Sequence, residues 1–208
     1  MDLIQALAAE LGKDPRHVEN VVHLLDEGNT IPFIARYRKE LHGAMDDTSL
    51  RTLEERLQYL RGLEERREAV KKSIDEQGKL TDELTAAIDS AKTLAEVEDL
   101  YRPYKQKRRT RATMAKEKGL EPLAALLFAQ ERDCPRPEEA ARAFVDPEKG
   151  VETIEDALQG ASDIIAEQIS DDAAIRKSLR ALISRQGQLV SRAATEDDSV
   201  YRLYYDFT

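Results

Sequence analysis

The side chains of this sequence best suited to chemistry are cations. Lys105-Gln106-Lys107-Arg108-Arg109-Thr110-Arg111 is preceded by Arg102 and followed by Lys116 and Lys118, so residues 100–118 hold eight basic residues and one acid, Glu117. The balance there is +7 in a chain of net charge −9, which leaves −16 on the other 189 residues. A segregated positive run attracts phosphates by releasing their counterions. Tyr101 and Tyr104 beside it carry flat faces on which unpaired bases stack. The candidate nucleic-acid contacts are therefore Arg102, Tyr104, Lys105, Lys107, Arg108, Arg109 and Arg111. A second reading of the same run stays open. It docks against the acidic remainder of the chain, or on an acidic partner domain, and serves folding rather than binding.

Other chemistry is poorly served. Arg36, Arg38 and Lys39 follow two short opening helices, where a helix-turn-helix would present side chains to DNA, but a plain helical core accounts for the same pattern. His17 and His23 are six residues apart, about 240° around a helix, and so do not share a face as metal ligands would. His42 precedes Gly43 in a loop. Asp46-Asp47, Asp171-Asp172 and Asp197-Asp198 flank helices, where capping explains them. Cys134, the only cysteine, has just Arg132 and Arg136 as basic neighbours in sequence and reads as an ordinary loop thiol. With no glycine-rich phosphate loop, serine elbow or zinc spacing, neither an enzyme, a cofactor nor a metal is expected.

The elements that must position the basic run are helices. Hydrophobic residues make up 41% and charged residues 35% of the chain. Alternating β-branched and aromatic runs do not occur, while Leu, Ala, Glu and Arg recur at helical spacing. The expected fold is all-α: an elongated multi-helix domain with a helix-turn-helix-like N-terminal part and a long spine helix. Helices are expected near 2–11 and from Asp14-Pro15 to Gly28, with the spine starting at a cap on Asp47 or Thr48 and running to Gly78. Its apolar stripe is Leu50, Leu53, Leu57, Leu60, Leu63, Val70 and Ile74, and Arg66, Arg67 and Glu68 read as part of a solvated face. Shorter helices follow at 82–90, 94–102 and 138–144. Two amphipathic helices, 153–169 and 172–193, read as an antiparallel pair. Domain boundaries fall at 1–78, the opening helices and spine, and 79–208, a second helical lobe incomplete at its end.

Two features bear on setting. No apolar run approaches the roughly 18 residues a membrane span needs, and the start lacks the layout of a signal peptide, so a cytoplasmic protein with no membrane partner is expected. The last eight residues carry Tyr201, Tyr204, Tyr205 and Phe207. An aromatic-rich ending of this kind reads as a break inside a longer protein, whose side chains fold back onto 153–193 or stay exposed and promote weak association.

Several stretches carry a family likeness. They are Ile31-Pro32-Phe33-Ile34-Ala35-Arg36-Tyr37-Arg38-Lys39-Glu40, Leu53-Glu54-Glu55-Arg56-Leu57, Glu76-Gln77-Gly78-Lys79-Leu80-Thr81, Glu98-Asp99-Leu100-Tyr101-Arg102-Pro103-Tyr104-Lys105, Lys107-Arg108-Arg109-Thr110-Arg111-Ala112-Thr113 and Gly119-Leu120-Glu121-Pro122-Leu123. Ala157-Leu158-Gln159-Gly160-Ala161 and Ile164-Ile165-Ala166-Glu167 extend it. Through these the chain resembles the N-terminal region of the bacterial Tex family of transcription accessory proteins. The resemblance implies a helical scaffold and interaction module that works with the transcription machinery. It also implies ribonuclease-H-like, helix-hairpin-helix and S1 domains following this region as partners within one protein. In that family the S1 domain is the main nucleic-acid-binding module, so binding by this region is expected to be auxiliary and weak. The alternative implied is a protein-interaction domain with no direct nucleic-acid contact.

Overall fold

The computed structural model describes residues 3–105, 108–132, 134–195 and 197–208. Among them are eleven α-helices and one two-stranded pairing, so the chain is an all-α, multi-helix protein. Contacts divide it into two compact units, 1–97 and 98–208. The helix after residue 81 packs on the long helix before it.

The first unit opens with α1 (Leu3–Leu11) and α2 (Pro15–Asp26). Asp14 caps α2 by accepting from the Arg16 amide, and proline at the first position suits a site whose N–H would have no helical partner. Helix α3 (Ile31–Tyr37) was not expected from the sequence; Pro32 stands in its first turn, where proline is compatible with a helix. Next comes α4 (Asp47–Asp75), the expected long helix. Its cap is Asp46, before both Asp47 and Thr48, the caps read from the sequence, and its carboxylate accepts from the Ser49 amide at 2.7 Å. Leu50, Leu53 and Leu57 of α4 join Leu7, Val18, Val21, Ile31 and Ile34 in one core. Each fully buried side chain of that size contributes about 1.5–3 kcal/mol.

The second half of α4 buries Leu63, Val70 and Ile74, and with them Arg67. That arginine is a correction to the solvated face read from the sequence. Its position continues the apolar stripe, and its guanidinium donates to the Ala91 carbonyl and to Glu64 Oε2, both at 2.6 Å. Helix α5 (Asp82–Ser90), capped by Thr81, places Ile88 in this region, and α6 (Leu94–Tyr101) brings Val97.

In the second unit α7 (Arg111–Glu117), α8 (Glu121–Ala129) and α9 (Pro137–Ala141) pack around α10 (Ile154–Asp171). Ala112, Ala115, Leu120, Leu123, Val151, Ala157, Ala161 and Ile164 form the core. Gly160 lets α10 approach closely, since a Cβ there would lie 2.3 Å from Leu120 Cδ1. A capping box, Thr153 with Asp156, starts α10.

Helix α11 (Ala173–Gln186) follows after Asp172, whose carboxylate accepts from the Ile175 amide. It stops at Gly187, short of the expected 193, and buries no residue, so it shares no apolar interior with α10 as a packed pair would. The last residues close on themselves. Strand β1 (Ser191–Arg192) pairs antiparallel with β2 (Asp206–Phe207), and the Tyr205 hydroxyl donates to the Asp197 carbonyl. Val200, Tyr201, Leu203 and Tyr204 remain exposed.

Candidate functional site

The basic run lies between α6 and α7 and continues into α7. A 3-10 turn, Arg102–Tyr104, continues α6, and Thr110 then caps α7 by accepting from the Thr113 amide at 3.0 Å. Arg111 is therefore the first residue of a helix whose other side, Ala112 and Ala115, enters the core of the second unit. Backbone placement of Arg111 is set by that core.

The run divides between fold and surface. Arg102 Nε donates to Asp171 Oδ1 at 2.9 Å, and Arg109 donates to Glu117 Oε2 at 2.6 Å. Tyr104 is partly buried and takes part in a further interaction. Lys105, Arg108 and Arg111 are exposed and form no ion pair among the described residues. Lys107 lies outside the described residues. Some cations of the run thus engage carboxylates of the chain, and others face water.

A buried carboxylate missed in the sequence lies beside the run. Asp99 on α6 is buried, and its oxygens accept from Arg176 Nε at 2.6 Å and from Arg180. Burial pushes the Asp99 carboxyl up, but the hydrogen bonds and charges of Arg180 and Arg176 outweigh it and hold the pKa below the usual carboxylate range. This clamp joins α6 to α11, and the Arg102–Asp171 pair joins the following turn to the end of α10. The only signal in sequence was an acid at the edge of a basic block.

His42 is buried, and neither ring nitrogen has a hydrogen-bond partner among the described residues. His17 lies against Gly43. Among the described residues no group of three His, Cys, Asp or Glu side chains is placed to hold a metal ion. No helix among them is long and apolar enough to cross a membrane.

Comparison with known proteins converges on one family. Residues 1–75 match the Tex-like protein N-terminal domain, and residues 133–208 match the Tex central region. Protein YhgF of Escherichia coli is 50% identical over 96% of this chain and 26% of its own length. The transcriptional accessory protein Tex of Neisseria gonorrhoeae is 42% identical over 100% of this chain and 27% of its own length. A human S1 RNA-binding domain-containing protein is 32% identical over 82% of this chain and 17% of its own length. The chain spans about a quarter of the length of the bacterial relatives it matches. These matches place it in the Tex-like family of transcription accessory proteins, where it corresponds to the N-terminal region.

Proposed function

We propose that this chain is the helical scaffold and interaction module of a Tex-like transcription accessory factor, and that α11 presents its main protein-binding face. The observation that carries this is the contrast between the two sides of α11. Arg176 and Arg180 anchor it through Asp99, while Ile175, Leu179, Leu182 and Ile183 face solvent and the helix buries nothing. A contiguous apolar face of this kind marks an interaction site. In a protein of full family length the following ribonuclease-H-like, helix-hairpin-helix and S1 domains, or a component of the transcription machinery, would cover it. Hydrogen exchange tests the reading. The α11 amides of a full-length Tex-like protein are expected to exchange more slowly than those of this chain, and more slowly again with RNA polymerase if the machinery is the partner. Equal rates in all three would refute it.

An auxiliary nucleic-acid surface is favoured by a separate observation, the exposure of Lys105, Arg108 and Arg111 without ion-pair partners among the described residues. Their engagement with phosphates gives a log–log salt slope near −0.7 per phosphate on a single strand. Arg108→Ala with Arg111→Ala is expected to flatten that slope. An unchanged slope and affinity in a folded double variant would leave the protein-interaction reading alone. The relative named for an S1 RNA-binding domain supports an RNA-linked setting for the family.

A further inference from the structure

Among the described residues Arg36 on α3, and Arg38 and Lys39 just beyond its end, lack the ion pairs that most cations of α4 make, Lys72 being an exception on α4. On α4, Arg51 pairs with Asp47, Arg56 with Glu10, Arg61 with Asp26, Arg67 with Glu64, and Lys71 with Glu68 and Asp89. Arg36, Arg38 and Lys39 form no ion pair among the described residues. The helix turns Ile31 and Ile34 into the core, so the opposite arc faces outward. On that arc lie two large rings, Phe33 at 36% exposure and Tyr37 at 56%.

The arrangement is specific. The Phe33 and Tyr37 centroids are 5.2 Å apart with the planes at 47°, and the Arg38 guanidinium lies 5.3 Å from the Phe33 centroid. Phe33 is thus flanked by a ring and a cation, and the more exposed Tyr37 is the outer ring. Beside them Pro32, Ala35, Arg36, Lys39 and Asp47 line a hollow of about 360 Å³. Asp47 there is already engaged, accepting from Arg51 at 2.7 Å. Arg36 and Lys39 are the unmatched charges of the hollow.

We propose that the outward arc of α3, with the turn that follows it, is a binding site for single-stranded nucleic acid, in which a base stacks on Tyr37 and Arg36 and Lys39 hold adjacent phosphates. Charge complementarity selects a polyanion, and the rings select one with exposed flat faces. An acidic peptide would satisfy the cations but has no general use for the ring pair. A duplex keeps its faces stacked inside, so it does not reach Tyr37. Stacking is tolerant of base identity, and no sequence preference is expected. The site lies in the first unit and shares no residue with the run at 102–111, so either can fail while the other stands.

Anisotropy of a short fluorescein-labelled oligothymidylate titrated with the chain tests it. Tyr37→Ala is expected to weaken binding about five- to hundredfold, the range for loss of one stacked base. Tyr37→Phe keeps the ring and is expected to keep affinity, whereas Tyr37→Leu keeps bulk without the ring and is expected to lose it. Arg36→Ala with Lys39→Ala is expected to flatten the log–log salt slope by about 1.4, for two phosphates. Because Tyr37 is more than half exposed, circular dichroism melts of these variants should match the parent. The proposal is overturned by no measurable binding, or by Tyr37→Ala and Tyr37→Leu within twofold of the parent. It is equally overturned by loss of all binding in Arg108→Ala with Arg111→Ala, or by a polyglutamate peptide that competes as well as unlabelled oligothymidylate.

Discussion

Gly43 combines a left-handed backbone, φ +59°, with a close neighbour, since a Cβ there would lie 2.2 Å from His17 Nδ1. Gly43→Ala is expected to cost about 1–2 kcal/mol through the backbone and about 1–3 kcal/mol more through overpacking. Adding His17→Ala should recover the second part and not the first, as read from urea midpoints. A Gly43→Ala protein as stable as its parent would contradict both the turn and the ring position. Arg67 offers a second test at this scale. Its bond to the Ala91 carbonyl ties α4 to the link after α5, so Arg67→Met should cost about 1–3 kcal/mol by leaving that buried acceptor without its donor. The Glu64 end contributes little, because that carboxylate is half exposed and stays hydrated. Burial of Arg67 was legible as a position, since it continues the spacing of Leu63 and Val70. Residue type argued the other way, and a backbone acceptor on another element leaves no trace in sequence.

At the scale of elements, α11 is held by charge where its neighbours are held by apolar contact. Asp99 has a folded-state pKa below its unfolded value. A carboxylate depressed in this way contributes stability that is fully present above the unfolded pKa, about 3.9, and is lost as pH falls through the folded value. Acid titration should therefore release α11 below about pH 4, seen as faster exchange of its amides while α10 stays protected. Asp99→Asn should release it already at neutral pH, and unchanged α11 protection in that variant would show that the clamp does not hold the helix. How much of this was readable follows from length and context. The twenty-nine residues of α4 repeat their stripe enough times to be recognised, whereas α3 and α7, with seven residues each, offer barely two turns of pattern. Pro32 and Pro122 look like breaks until they are placed in the first turn. The basic run was visible as charge, but its division was not. Asp171 lies 69 residues from Arg102, and only folding brings them together.

Across the whole molecule, charge and apolar exposure are distributed unequally. The first unit closes most of its large apolar side chains into a core and leaves Phe33 and Tyr37 out. The second leaves Ile175, Leu179, Leu182 and Ile183 exposed on α11, and beyond that helix Leu189, Val190, Val200, Tyr201 and Leu203. A net charge of −9 opposes association by repulsion. Each side chain buried in a contact contributes about 1.5–3 kcal/mol, so a few of them outweigh that repulsion once salt screens it. The chain alone should therefore associate weakly, with a larger sedimentation coefficient at high concentration and in moderate salt. Leu179→Lys with Ile183→Lys places two cations in the middle of the α11 face and should return it to monomer. Removal of residues 200–208 separates the two contributors, because it deletes β2 and the exposed tyrosines while leaving α11 intact. Association retained in the truncated chain and lost in the lysine variant assigns the surface to α11; the reverse assigns it to the tail. A parent that sediments as a monomer at all concentrations, with α11 amides slow to exchange, would show that this helix finds cover within its own chain and would remove the basis for a docking face.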